Sequence, residues 1–342
     1  MIILFAGPRP DHRDDWMNIC ILGAGAIGGH LAARLDLAGA SVSALVRGAA
    51  LEAIREKGLT FQNRDLTHVA RIAASDCLDD LPKPDVVIVA VKAQSLASTA
   101  STLERLAGNG TPIVFALNGL PWWYRQQLRQ RFDVTEEVPA ASDEAALSGL
   151  VPLENVIGCV VTSANSQTAP GVIHNELPSA NRFVFGEATG RMTDRIQRLA
   201  ELVTKGGATG QAVQTLAPDI WVKLRANVLA ASFACLTGLD MQALMSFKDL
   251  HKPALDLQGE VNRLAAACGV QLSLDESTLD PTRYSKHKPS MLQDLEKGRT
   301  IEFDAVPGAT QSVARWLDIP VPTLDIVAAL LKARAMTLGV YP

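Results

Sequence analysis

Regular patterning begins at residues 18–23 (NICILG), a short unbroken apolar run ending at glycine, which predicts a buried β-strand. Residues 26–39 predict a helix, with small residues where it must approach a sheet, and 41–46 (SVSALV) predict a second strand. Strand, helix and strand together span about 30 residues, the size of a parallel crossover. The alternation continues with a strand at 85–91 (DVVIVAV), a helix near 95–106 and a strand at 112–117 (PIVFAL). Strands alternating with helices in this way predict a parallel sheet covered on both faces.

The pattern then loosens. Residues 121–155 read as irregular, and 134–150 (VTEEVPAASDEAALSGL) as an acidic surface insertion. Short strands at 156–163, 171–174 and 182–185, the last closed by Gly186, suggest an antiparallel edge to the sheet. A helix at 192–205 and a short strand near 210–213 complete the first domain. After Thr215 only helical periodicities remain, at 218–238, 249–268, 289–297, 304–317 and 323–338. The fold class is therefore α/β: a Rossmann-type doubly wound sheet followed by an all-helical C-terminal domain. Residues 1–16 read as an upstream extension without a functional role, 17–213 as the first domain and 214–342 as the second.

A length of 342 residues suits two domains, and 48% hydrophobic residues suffice to bury their cores. The net charge of −4, without a long basic run, gives nucleic-acid binding no electrostatic footprint. A local cationic pocket for a small acidic molecule stays compatible with that balance. The five cysteines form no CxxC pair and read as buried thiols of a reducing compartment, so the chain is expected to be cytoplasmic. The six histidines show no metal-ligand spacing. No apolar stretch is read as long enough to span a membrane.

The sequence Gly23-Ala24-Gly25-Ala26-Ile27-Gly28 fits GxGxxG between a strand and a helix, the context in which the motif holds a dinucleotide. Gly23 permits the tight turn, Gly25 lets backbone approach a pyrophosphate, and Gly28 lets the helix pack against the strand. The helix N-terminus adds free N–H groups for the phosphates. The second strand ends in Val46-Arg47-Gly48, where an NAD-binding chain usually places an acid for the ribose hydroxyl. Arg47 can instead pair with a 2′-phosphate, which favours NADP. An ordinary solvated arginine is the plain alternative.

Several fragments resemble the ketopantoate reductase family. They are MNICILGAGAIGG from Met17, Arg47, AVKA at 90–93, LNGL at 117–120, PGVIH at 170–174, WVKLRAN at 221–227 and PSMLQDLEKGRTIEFD at 289–304. The resemblance covers about residues 17–338. It implies NADPH-dependent reduction of ketopantoate to pantoate, a step of pantothenate biosynthesis, with the site in a cleft between a Rossmann domain and a helical domain. By resemblance, Lys223 is the catalytic lysine, Glu302 the active-site glutamate, and Asn227 and Ser290 hold substrate. Asn118 and Lys92 match positions near the nicotinamide, and Ala164 a backbone contact to the cofactor.

The residues themselves agree with that chemistry while leaving plainer roles open. Lys223 and Asn227, four apart in a helical pattern, share one face. A lysine there either snorkels to solvent or donates a proton to a ketone oxygen. Glu302 would then orient it. Asn118 opens an Asn-Gly turn after an apolar strand, where turn chemistry and ligand contact are compatible. Lys92 ends a strand, and Ser290 begins a helix, where a capping role is the plain reading. Trp122, Trp123 and Tyr124 read as packing residues. Two positions depart from the family: Ala231 and His287 stand where asparagines are common. They leave hydride chemistry intact and open the way to a bulkier or more apolar 2-oxo acid. Rival readings are another dehydrogenase on this architecture and a non-catalytic NADP-binding sensor. A helical second domain is a common dimerisation surface, so a homodimer is one possible assembly.

Overall fold

The computed structural model describes residues 2–5, 17–132, 147–284 and 286–341. The chain divides into two compact units: Met1–Leu117 with Ala146–Leu216, and Asn118–Ala145 with Ala217–Pro342.

An eight-stranded sheet forms the first unit. Its strands are β2 (Asn18–Leu22), β3 (Ser41–Leu45), β6 (Ala73–Ser75), β7 (Val86–Val89), β8 (Ile113–Phe115), β9 (Val156–Thr162), β12 (Arg182–Glu187) and β13 (Thr209–Ala212). They lie in the order β13-β12-β9-β8-β7-β2-β3-β6. Every neighbouring pair from β6 across to β9 is parallel. Six strands in this order reproduce the doubly wound arrangement whose direction of winding reverses at the first strand, here β2. β12 then pairs antiparallel with β9, and β13 parallel with β12. Central strands such as β7 (VVIV) are buried throughout, as unbroken apolar runs in parallel sheets are.

Helix α1 (Ala26–Leu37) packs on β2 and β3, and also on a second sheet that the apolar pattern did not disclose. That sheet comprises β1 (Ile2–Phe5), β4 (Leu59–Gln62), β5 (Leu66–Ala70), β10 (Asn165–Ala169) and β11 (Val172–Asn175), in the order β1-β5-β4-β11-β10. Covered twice, α1 is buried from Gly28 through Leu35. The strand expected at 171–174 as an edge of the main sheet is β11, which pairs parallel with β4 and antiparallel with β10. Residues 48–75, unread from sequence, hold α2 (Gly48–Lys57), β4, β5 and β6. The turn joining β4 to β5 is set by Asn63, whose Oδ1 accepts from the N–H groups of Asp65 and Leu66 at 2.8 Å each. The N-terminal extension contributes β1, parallel to β5. Helices α3 (Ala100–Gly108) and α5 (Asp194–Lys205) complete this unit.

The second unit is helical: α4 (Trp122–Phe132), α6 (Ala217–Thr237), α7 (Met241–Met245), α8 (His251–Ala267), α9 (Ser290–Glu296), α10 (Ala309–Trp316) and α11 (Pro322–Thr337). α6 is its axis and packs on α7, α8, α9 and α11. By length and composition alone this 21-residue helix could cross a membrane, where the sequence reading found no such stretch, and more than half of its most apolar part is buried within the protein. Its apolarity thus serves core packing. α4 occupies a stretch expected to be irregular. It falls in the second unit because Trp123 is buried there and Tyr124 Oη accepts from Trp221 Nε1 of α6 at 2.9 Å. Most of the acidic stretch 134–150 lies outside the described residues. Cys20, Cys159, Cys235 and Cys268 are buried free thiols, whereas Cys77 is exposed.

Candidate active site

In the first unit the glycine turn follows β2 and opens α1. Gly23 has φ +92°, and a Cβ there would lie 2.7 Å from Val91 Cγ1. A Cβ on Gly28 would lie 2.0 Å from the Gly23 carbonyl oxygen, so strand and helix touch at that point. Both glycines are required by the protein itself. Gly25 is different: a Cβ there would meet nothing within 4 Å. It holds the N-cap of α1 with extended backbone, and no side chain caps the helix there. That geometry fits a pyrophosphate laid against the helix N-terminus. Ala24 is buried beneath the turn, and Ala26 and Ile27 form the first helical residues.

Arg47 follows β3, exposed at the N-cap of α2, with no hydrogen bond or ion pair among the described residues. Lys92 stands three residues beyond β7, half-buried, its carbonyl accepting from Ser95 N at 2.8 Å. Ala164 lies between β9 and β10; its carbonyl accepts from Glu176 N at 2.9 Å and Asn175 Nδ2 at 3.1 Å. The glycine turn, Arg47, Lys92 and Ala164 therefore all follow C-terminal ends of parallel strands, the edge at which open α/β sheets bind ligands.

In the second unit, Lys223 and Asn227 sit one turn apart on α6, both half-buried. The Lys223 side chain has no hydrogen bond or ion pair among the described residues, Glu302 included. Burial holds its pKa below the ordinary lysine value. Asn227 Nδ2 donates to Asn118 Oδ1 at 3.4 Å, a long bond. The turn after Asn118 needs its glycine. Gly119 has φ +93°, a Cβ there would lie 2.0 Å from Ala305 O, and Leu120 N donates to that same oxygen at 3.1 Å.

The turn is thereby docked on Asp304–Gly308, which is a π-helical turn and not the start of the expected 304–317 α-helix. Pro307 has no N–H to give, and Gly308 N reaches back five residues to Phe303 O at 2.9 Å. Glu302 lies two residues before this turn and is buried. Its flanks are tied: Ile301 N donates to Val340 O at 3.0 Å, and Tyr341 Oη donates to Asp304 Oδ1 at 2.8 Å. The Asn118 turn is thus joined to Asn227, which lies one turn from Lys223 on α6, and to Ala305 in the segment that follows Glu302. Ser290 is not joined to them by any hydrogen bond. It is exposed at the first position of α9, where Pro289 holds the N-cap, so the capping role open in the sequence is not made. Ala231 is buried one turn beyond Asn227.

Sequence reading missed His30, Ser163, Asn175 and Asn181, which form one polar cluster in the first unit. The available signal was His30 with Arg34, two polar residues four apart within the buried, mostly apolar stretch Gly28–Leu35 of α1.

A dinucleotide turn on a doubly wound sheet, with a helical unit carrying a partly buried lysine and a buried glutamate, defines a nicotinamide-dependent oxidoreductase. The model for ketopantoate reductase PanE/ApbA matches residues 19–190, and that for its C-terminal part matches residues 215–335. The chain belongs to the ketopantoate reductase family. It is 34% identical over 328 residues to a 2-dehydropantoate 2-reductase of Mesorhizobium japonicum, covering 95% of this chain and 100% of that one. A solved structure from Ralstonia solanacearum MolK2, assigned as a ketopantoate reductase, superposes with TM-score 0.85 at 30% identity, covering 96% of this chain and 100% of that one. D-mandelate dehydrogenase, solved with NADH and anilino(oxo)acetate, shares the fold with TM-score 0.80 at 20% identity, covering 95% of this chain and 100% of that one.

Proposed function

We propose that the chain reduces the ketone of a 2-oxo acid to a 2-hydroxy acid with NADPH, and that ketopantoate is its substrate. The observation that carries this reading is Lys223. It is a partly buried ammonium with no described partner, pKa lowered by burial, one turn from an asparagine joined to the Asn118 turn. When bound, NADPH supplies the hydride delivered to C2 of the substrate. Lys223 hydrogen-bonds the ketone oxygen, stabilises the negative charge that develops there and donates its proton. Asn227 and Asn118 orient the substrate, Ser290 binds its carboxylate near the α9 N-terminus, and Glu302 directs the lysine or a substrate hydroxyl. Gly23–Gly28 hold the pyrophosphate, and Arg47 the 2′-phosphate that distinguishes NADPH from NADH.

A second reading has one observation in its favour. Ala231, small, apolar and buried, continues the face of α6 that carries Lys223 and Asn227. A more apolar 2-oxo acid suits that face, and the fold is shared with a protein solved with anilino(oxo)acetate.

Both readings are tested by NADPH oxidation with ketopantoate beside branched and aromatic 2-oxo acids. Ketopantoate is expected to give the highest kcat/KM, and an aromatic acid in first place would select the second reading. NADPH is expected to outperform NADH, and Arg47→Ala to reduce that preference about tenfold to a hundredfold, as loss of a charge-assisted bond does. Turnover of no 2-oxo acid, or an unchanged preference in Arg47→Ala, would overturn the corresponding part.

A further inference from the structure

We propose that Ser163 is the hub of a positioning network that presents the Ala164 peptide to the nicotinamide half of the cofactor. The proposal rests on the NADPH reading above and adds residues that the reaction itself does not call for.

The direction of every bond at the hub is fixed. Arg34 Nε donates to His30 Nε2 at 3.0 Å, and an arginine can only donate, so the hydrogen of the neutral ring sits on Nδ1. His30 Nδ1 then donates to Ser163 Oγ at 3.1 Å. The same oxygen accepts from Asn165 Nδ2 at 2.8 Å and gives its own hydrogen to Asn181 Oδ1 at 2.6 Å. Two acceptor positions and one donor are all that a hydroxyl has, and all three are used. Asn175 closes the network: its Nδ2 lies within hydrogen-bond distance of Asn181 Oδ1 at 2.9 Å, Asn165 Oδ1 at 2.9 Å and the Ala164 carbonyl at 3.1 Å.

The consequence is mechanical. His30 sits in α1, two residues beyond the last glycine of the motif, and Ala164 follows the end of β9. The network therefore ties the pyrophosphate helix to the Ala164 peptide. With its carbonyl already occupied twice, that peptide has its N–H left to offer, since no partner for it exists among the described residues. From β3, where Arg47 lies, the sheet runs through β2, β7 and β8 to β9. Those four spacings of about 4.8 Å make roughly 19 Å, a span suited to an extended dinucleotide. A cofactor with its 2′-phosphate at Arg47 and its pyrophosphate at Gly25 extends its nicotinamide half toward β9. An apolar contact could join α1 to this edge, but it would not fix the peptide's orientation; a saturated polar network does.

The test is calorimetric titration of the full-length chain with two ligands, NADPH and adenosine 2′,5′-bisphosphate, which lacks the nicotinamide half. Ser163→Ala and Asn175→Ala are each expected to weaken NADPH about tenfold while leaving the bisphosphate within about twofold; Ser163→Thr, which keeps the hydroxyl, is expected to bind both like wild type. If one alanine variant fails to fold, the other carries the test. Unchanged NADPH affinity in a folded alanine variant, or equal weakening of both ligands, would overturn the proposal. A wild-type chain that binds the bisphosphate but gains nothing from the nicotinamide half would do so too. A wild-type chain that binds neither ligand would remove the cofactor reading, and this proposal with it.

Discussion

On α1, His30 has both ring nitrogens engaged, at 3.0 and 3.1 Å, and its ring stacks on Phe61 at 4.8 Å. On α6, Lys223 has no partner among the described residues, and Asn227 reaches Asn118 only at 3.4 Å. The contrast follows from what each region must do. A cofactor is the same molecule in every turnover, so its edge gains from prebuilt, fully bonded geometry. A proton donor must change partners during the reaction. Before substrate arrives no carboxylate among the described residues is bonded to Lys223, and burial lowers its pKa.

Two of the three glycines of the cofactor turn, Gly25 and Gly28, break this comparison most sharply. Gly28→Ala drives a Cβ to within 2.0 Å of backbone oxygen, so stability should fall by about 3 kcal/mol or more, read by urea unfolding. Gly25→Ala meets no protein atom within 4 Å, so the variant should unfold like wild type yet bind NADPH at least about tenfold more weakly. Normal NADPH affinity in Gly25→Ala would show that the open space is not the pyrophosphate site.

A smaller effect sharpens the rigid side. Burial pushes the His30 pKa from 6.5 down to about 3. Across that window the unfolded chain takes up a proton that the folded chain refuses, so His30 lowers stability as pH falls from 6.5 toward 3. Unfolding followed across these pH values should show a shallower decline in His30→Gln. Identical slopes would mean that the ring is not held neutral.

The parallel sheet was legible because its strands are unbroken apolar runs and its turns are marked by glycine. β4, β5 and β10 were not: LTFQ, LTHVA and NSQTA mix polar and apolar positions over too few residues to show a period. α4 was hidden because WWYRQQLRQRF offers no apolar stripe, although Trp122 through Arg125 and Leu128 are all buried. At the site, Gly25, Arg47 and Lys223 could be singled out since each follows a motif or carries a charge in an apolar setting. Ser163 could not. Its importance lies in His30, Asn165 and Asn181, brought to it across 133, 2 and 18 residues of chain. The π turn was equally invisible, because Pro307 inside a helical pattern announces a break without saying which hydrogen bond replaces the lost one.

The claim that Lys223 supplies the proton is tested most directly by kcat against pH at saturating NADPH and 2-oxo acid, in wild type beside Lys223→Ala. Only the ammonium can donate, so the wild-type rate should fall as pH rises through a lysine pKa below the ordinary 10.5. Lys223→Ala should lose that limb and at least about a hundredfold in kcat while still binding NADPH. A near-normal rate in Lys223→Ala, with the same alkaline limb, would contradict the account.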